Sequence, residues 1–141
     1  MNSALFSDIK WLAVLVAAVA YFALGALWYS KALFANSWVK LAGINMDDPN
    51  ARKGVGAIML TSFVLMLVAS IGIAILITRI GVTDWMTGLK TGLITGICFS
   101  ATAISISYVY EKRPMALHLI NAGYNIIGSA IAGIIIAAWP K

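Results

Sequence analysis

The spacing of the charged residues constrains this chain more than any other feature. Four stretches carry no charge: those between Lys10 and Lys31, Lys53 and Arg79, Lys90 and Glu111, and Arg113 and Lys141. Each is about 20 residues or longer, and a helix of that length rises about 30 Å, the thickness of a bilayer's hydrocarbon core. Lipid offers no partners to backbone N–H and C=O groups, and a helix satisfies them internally. The gaps therefore predict an all-α integral membrane protein with transmembrane helices over about 9–30, 54–78, 85–110 and 114–139. Composition agrees: 62% of residues are hydrophobic and 11% charged, against about 45–50% and about 25% in soluble domains. The 141 residues suit a single four-helix domain. The first apolar run is too long for a signal-peptide core and no small-residue cleavage site follows it, so it reads as an uncleaved span.

The formal net charge of +5 comes from Lys and Arg flanking the spans. There they meet anionic lipid headgroups, so membrane lipid, not nucleic acid, is the expected partner. Trp11 lies at one end of the first span and Trp28-Tyr29 at the other, where amphipathic rings favour the interface. Beyond Lys31, Phe34, Trp38 and Leu41 share one helical face, with Asn36, Ser37 and Lys40 largely off it. This pattern predicts a short interfacial helix over about 33–44, ended by Asp47-Asp48-Pro49-Asn50. The first and third connections carry Lys31, Lys40, Arg52, Lys53, Lys112 and Arg113, against Lys10, Arg79, Lys90 and Lys141 on the opposite side. The basic excess predicts that those connections are cytoplasmic, with both termini outside an inner membrane.

The last span is apolar but not uniform. At about 100° per residue, His118, Asn121, Asn125 and Ser129 fall within about 80° of one another. An imidazole or carboxamide finds no partner in hydrocarbon, so this line is expected to face other helices. The third span carries a glycine ridge, Gly88, Gly92 and Gly96, which lets helix backbones approach closely within or between subunits. Beside it Thr87, Thr91, Thr95, Cys98, Thr102 and Ser105 form a second polar line, the expected partner of the line on the last span. Ala17, Tyr21 and Gly25 make a partly small-residue ridge on the first span, and Thr61, Ser62 and Ser70 are expected to bond their own backbone. Ridge and line together call for more covering surface than one small bundle offers, which predicts a homo-oligomer.

The strings Gly25-Ala26-Leu27-Trp28-Tyr29-Ser30 (with Phe34 and Trp38 beyond), Tyr110-Glu111-Lys112-Arg113 and Leu119-Ile120-Asn121-Ala122-Gly123-Tyr124, with Trp139 near the end, resemble a known family. They are similar to those of the bacterial membrane proteins of domain-of-unknown-function family 1761. The resemblance spans nearly the whole chain and implies a four-helix membrane protein of uncharacterised function, without site residues to carry over.

Chemistry-bearing residues are few. A single histidine, the lone Cys98 and scattered loop carboxylates do not converge with metal-ligand spacing. No nucleophile elbow or phosphate loop occurs, and Cys98 reads as a small core residue. No enzyme activity, metal or cofactor is expected. Asp8, Asp47, Asp48, Asp84 and Glu111 all lie at span ends or in loops, which argues against proton-coupled cation export through an embedded carboxylate. Tyr29, Glu111, His118 and Asn121 gather at one side of the membrane, with Asn125 and Ser129 deeper on the last span and Thr95 and Thr102 on the third. These residues form the candidate path or binding site for an unidentified small solute or lipid, placed between the third and fourth spans, with Glu111 near enough to His118 for an ion pair or proton relay. The alternative is a structural or partner-binding subunit in which the same groups only join helices.

Overall fold

The structure, a computed structural model, describes residues 3–140; Lys141, which closes the last charge-free gap, lies outside them. A 3₁₀ turn (Ser3–Leu5) leads to α1 (Trp11–Trp28), α2 (Ala35–Ala42), α3 (Val55–Ile80), α4 (Trp85–Tyr110, with a π-helical turn over Gly96–Ala101) and α5 (Met115–Ala138). Helices α1, α3, α4 and α5 are each long and apolar enough to cross a bilayer. The protein is an all-α membrane protein of four spans with one short helix after the first. In α2, Phe34 (at its N-cap), Trp38 and Leu41 are half-buried while Asn36, Ser37 and Lys40 are exposed, as an interfacial helix requires.

Local chemistry sets the ends of the spans. Gly81 closes α3 with φ 76°, a left-handed conformation that a Cβ would disfavour, and its N–H returns to the carbonyls of Ile77 and Thr78. Three residues later the Asp84 carboxylate accepts from the Thr87 N–H at 2.8 Å and caps α4. The connection between α3 and α4 is correspondingly short, so the two run antiparallel.

Helix α5 is the axis of the bundle. In its most apolar 18-residue window 44% of residues are buried, against 28% in α1, 22% in α3 and 11% in α4. The half of the bundle nearest the termini is closed. Ile9, Ala13, Val14 and Ala17 meet Ile73, Ala74 and Ile77 of α3 and Ala132, Ile136 and Ala137 of α5 in one cluster, where small residues bring backbones together. Packing density is what drives such association, because lipid tails are as apolar as the helices they surround. In the other half α3 carries long side chains instead. Phe63 stands edge-on to Phe22 with centroids 5.8 Å apart, and most of the helix from Val55 to Ala69 is exposed or half-buried. The bundle opens on that side.

The glycine ridge joins α4 to α5 inside one chain. A Cβ added at Gly92 would overlap the Ser129 carbonyl oxygen and stand 2.7 Å from Ala130 Cα; one at Gly96 would stand 2.7 Å from Ile126 Cα. Gly88 faces Gly133 and Ala137 in the same way. The ridge therefore does not supply the free surface on which an oligomer was expected. The small ridge on α1 is likewise covered by α5: Tyr21 lies against Gly128, and Gly25 against Tyr124.

Candidate functional site

Where the bundle opens, tyrosines and asparagines connect its helices. At the end of α1 the Tyr29 hydroxyl donates to Asn121 Oδ1 at 2.6 Å, and Asn121 Nδ2 donates to the Tyr108 hydroxyl of α4 at 2.7 Å. One turn deeper, Tyr21 donates to Asn125 Oδ1 at 2.7 Å, and Asn125 Nδ2 returns to the Asn121 carbonyl at 2.9 Å. Tyr124 donates to the Tyr21 carbonyl at 3.2 Å, and Trp28 Nε1 to the Ile120 carbonyl at 3.0 Å. The rings also pack on one another. Tyr124 stands edge-on to Tyr21 at 5.3 Å and to Tyr29 at 5.4 Å, and Tyr29 edge-on to Trp38 of α2 at 5.4 Å. Asn121 and Asn125 thus face protein, the orientation their spacing on one polar line requires.

This network forms one wall of a cavity of about 700 Å³. The cavity lies between α1, α3, the far end of α4 and α5, and Trp38 of α2 borders it. Its apolar surface comes from Phe22, Ile58, Met59, Met66 and Ile104, and its polar surface from Tyr29, Ser62, Tyr108, Asn121 and Asn125; no lining residue is charged. The size is within the range of small-molecule sites, about 300–1,000 Å³, which are typically apolar with a few placed polar groups.

The π-helical turn puts Tyr108 in this wall. Gly88, Gly92, Gly96, Ser100, Ile104 and Tyr108 recur every fourth residue, a spacing that drifts by about 40° per step around an α-helix. The wider turn over Gly96–Ala101 resets that drift. Helix α4 touches α5 through its glycines, then turns Ile104 and Tyr108 back toward the cavity.

Over residues 12–137 the sequence matches the family described as "Protein of unknown function (DUF1761)". The chain belongs to that family. No curated protein and no solved structure matches it.

Of the residues expected in the site, Tyr29, Asn121 and Asn125 line the cavity. His118 is buried beside it, 7% exposed, with its ring edge-on to Tyr108 at 5.2 Å. Ser129 is 3% exposed and lies under Gly92 and Gly96, where it packs α5 against α4 instead of facing the cavity. The remaining expectations are corrected. Glu111 is exposed and pairs with Arg113 at 2.9 Å, not with His118; a salt bridge within one tight, exposed connection leaves the carboxylate hydrated and avoids a desolvation cost. Thr95 donates to the Thr91 carbonyl at 2.7 Å and Thr102 to the Cys98 carbonyl at 2.7 Å. Their hydroxyls are satisfied within α4, and Thr102 and Cys98 are exposed, so the α4 line does not meet the line on α5 and Cys98 is not a core residue. The cavity accordingly does not lie between the third and fourth spans alone, whose shared seam is closed by glycine. Ser70 is fully buried with no partner for its hydroxyl, and Ser62 makes no side-chain hydrogen bond among the described residues, contrary to the expected bonds to their own backbone.

Sequence reasoning missed Tyr21 and Tyr124 as site residues. For Tyr21 the available signal was the polar line itself, whose Asn125 needs a partner from a neighbouring helix. Among the described residues no three His, Cys, Asp or Glu side chains gather as metal ligands.

Proposed function

We propose that this membrane protein binds a small, largely apolar molecule or a lipid in the cavity bordered by Tyr29, Tyr108, Asn121 and Asn125, without catalysing a reaction on it. The observation that carries this reading is the cavity itself: about 700 Å³ of space against a polar wall in an otherwise apolar bundle. Binding fits better than passage, because Ile73, Ala74, Ile77, Ala132 and Ile136 fill the opposite half of the bundle.

The basic residues of the first and third connections, Lys31, Lys40, Arg52, Lys53, Lys112 and Arg113, support an orientation in the cell membrane with those connections inside and both termini outside. The cavity then opens in the cytoplasmic half of the bilayer. The test is native mass spectrometry of the protein released from its own membranes. The wild type is expected to retain a small molecule that Ser62→Phe, which fills the cavity from α3, does not. Identical spectra without an adduct from both would favour the structural-subunit reading instead.

A further inference from the structure

The hydrogen-bond arrangement of the wall narrows the ligand's chemistry; the inference rests on the cavity reading above. Asn121 donates one N–H to one phenol and accepts one O–H from the other. As placed, Tyr29 gives its proton and Tyr108 receives, which leaves the Tyr108 O–H without an acceptor among the described residues. Rotating the amide by 180° exchanges the roles and leaves the Tyr29 O–H over instead. In either arrangement one phenol proton and one amide proton of Asn121 stay free beside the cavity. Ser62 on the facing helix lines the same space and makes no side-chain hydrogen bond among the described residues. The wall thus has surplus donors.

No lining residue carries charge, so an ionic head would enter low-dielectric surroundings without a counter-ion, an expensive transfer. Aromatic faces can substitute for a counter-ion when they are open. Here Tyr29 is paired edge to face with both Trp38 and Tyr124, so part of this aromatic surface is already engaged within the wall. The rest of the lining, Phe22, Ile58, Met59, Met66 and Ile104, matches hydrocarbon.

We infer that the cavity takes an uncharged lipid-like molecule whose head is a hydrogen-bond-accepting oxygen, a carbonyl or ether, placed between Tyr108 and Asn121, with its hydrocarbon body against α3 and α4. The test uses the whole protein in nanodiscs supplied with one of four probes at equal mole fraction: 2-tridecanone, tridecane, dodecyltrimethylammonium or dodecanoate. Retention is read by native mass spectrometry. The ketone is expected to be retained about tenfold more than the alkane, the size of one hydrogen bond made in an apolar site. That preference is expected to fall in Tyr108→Phe or, with the amide reversed, in Tyr29→Phe, and to vanish when Asn121→Leu also removes the free amide proton, while alkane retention stays unchanged. A preference that survives the loss of both the phenol and the Asn121 amide overturns the inference. Stronger retention of the ammonium or the carboxylate overturns the ligand class but leaves the cavity reading standing. No retention of any probe, with Ser62→Phe indistinguishable from wild type, overturns the cavity reading as well.

Discussion

Replacing Gly92 by alanine adds one methyl group at the closest approach of α4 and α5. That methyl would overlap the Ser129 carbonyl oxygen, with Ala130 Cα at 2.7 Å and the Ser129 carbonyl carbon at 2.8 Å. All three are main-chain atoms, so no side-chain rotation relieves the contact, and the helices must separate. Overpacking of a closed contact costs about 1–3 kcal/mol, and a backbone clash belongs at the top of that range. Alanine recovers about 1 kcal/mol of helix propensity relative to glycine, which leaves a net destabilisation of about 2 kcal/mol. Gly72→Ala provides the control: a Cβ at Gly72 meets nothing within 4 Å, so only the propensity gain remains. Both variants are to be unfolded reversibly in mixed micelles or by steric trapping in bilayers. Equal stability of Gly92→Ala and Gly72→Ala would refute the claim that the glycine ridge is the intramolecular seam between α4 and α5.

Three further outcomes are expected. Asn125→Leu removes the acceptor of the Tyr21 hydroxyl and should destabilise the fold by about 1–2 kcal/mol, the upper range for interhelical hydrogen bonds in membranes; in a double-mutant cycle with Tyr21→Phe the two losses should be less than additive. Asp84 is fully exposed, and the hydrogen bond from the Thr87 backbone N–H, followed by that from the Thr87 side chain, holds its carboxyl below the usual aspartate range. A lowered folded-state value means that the cap's contribution is present above the unfolded-state value, about pH 4, and is lost as pH falls through the folded-state value. The difference in melting temperature between wild type and Asp84→Ala should therefore shrink on acidification below about pH 4; a constant difference would show that the carboxylate charge does not matter to the cap. For topology, a cysteine placed at Asn50 in a Cys98→Ser background should react with a membrane-impermeant maleimide only after the cells are opened; labelling of intact cells would reverse the proposed orientation.

Much of the fold was legible because charge is so costly in hydrocarbon that its positions mark the spans. Helices Trp11–Trp28, Val55–Ile80, Trp85–Tyr110 and Met115–Ala138 occupy the charge-poor stretches to within a few residues, and α2 follows from the helical face shared by Phe34, Trp38 and Leu41. The inward orientation of Asn121 and Asn125 was legible for the related reason that an amide has no partner in lipid. Pairing between helices was not, because a glycine ridge states that something comes close without stating what. Thr95 and Thr102 were misread for the same cause: a hydroxyl can bond its own helix, and sequence alone cannot tell that from a bond to a neighbour. Tyr21 and Tyr124 were hidden by their dual nature, since a mid-span phenol reads as bulk until its acceptor is located, the Asn125 amide for Tyr21 and the Tyr21 carbonyl for Tyr124. The π-helical turn lies in a run whose spacing every fourth residue is compatible with an α-helix over short lengths, so Tyr108 could not be assigned to the wall in advance.

What occupies the space beside Asn121 decides most directly whether the cavity holds a ligand. A cryo-electron microscopy map of the protein in nanodiscs formed with its native lipids would show it. The expected result is elongated non-protein density in the cavity, one end within hydrogen-bonding distance of Tyr108 and Asn121, with Asn125 still held by Tyr21. A map in which α3 has closed onto α1 and α5, or in which both asparagines face the acyl chains of bulk lipid, would contradict it.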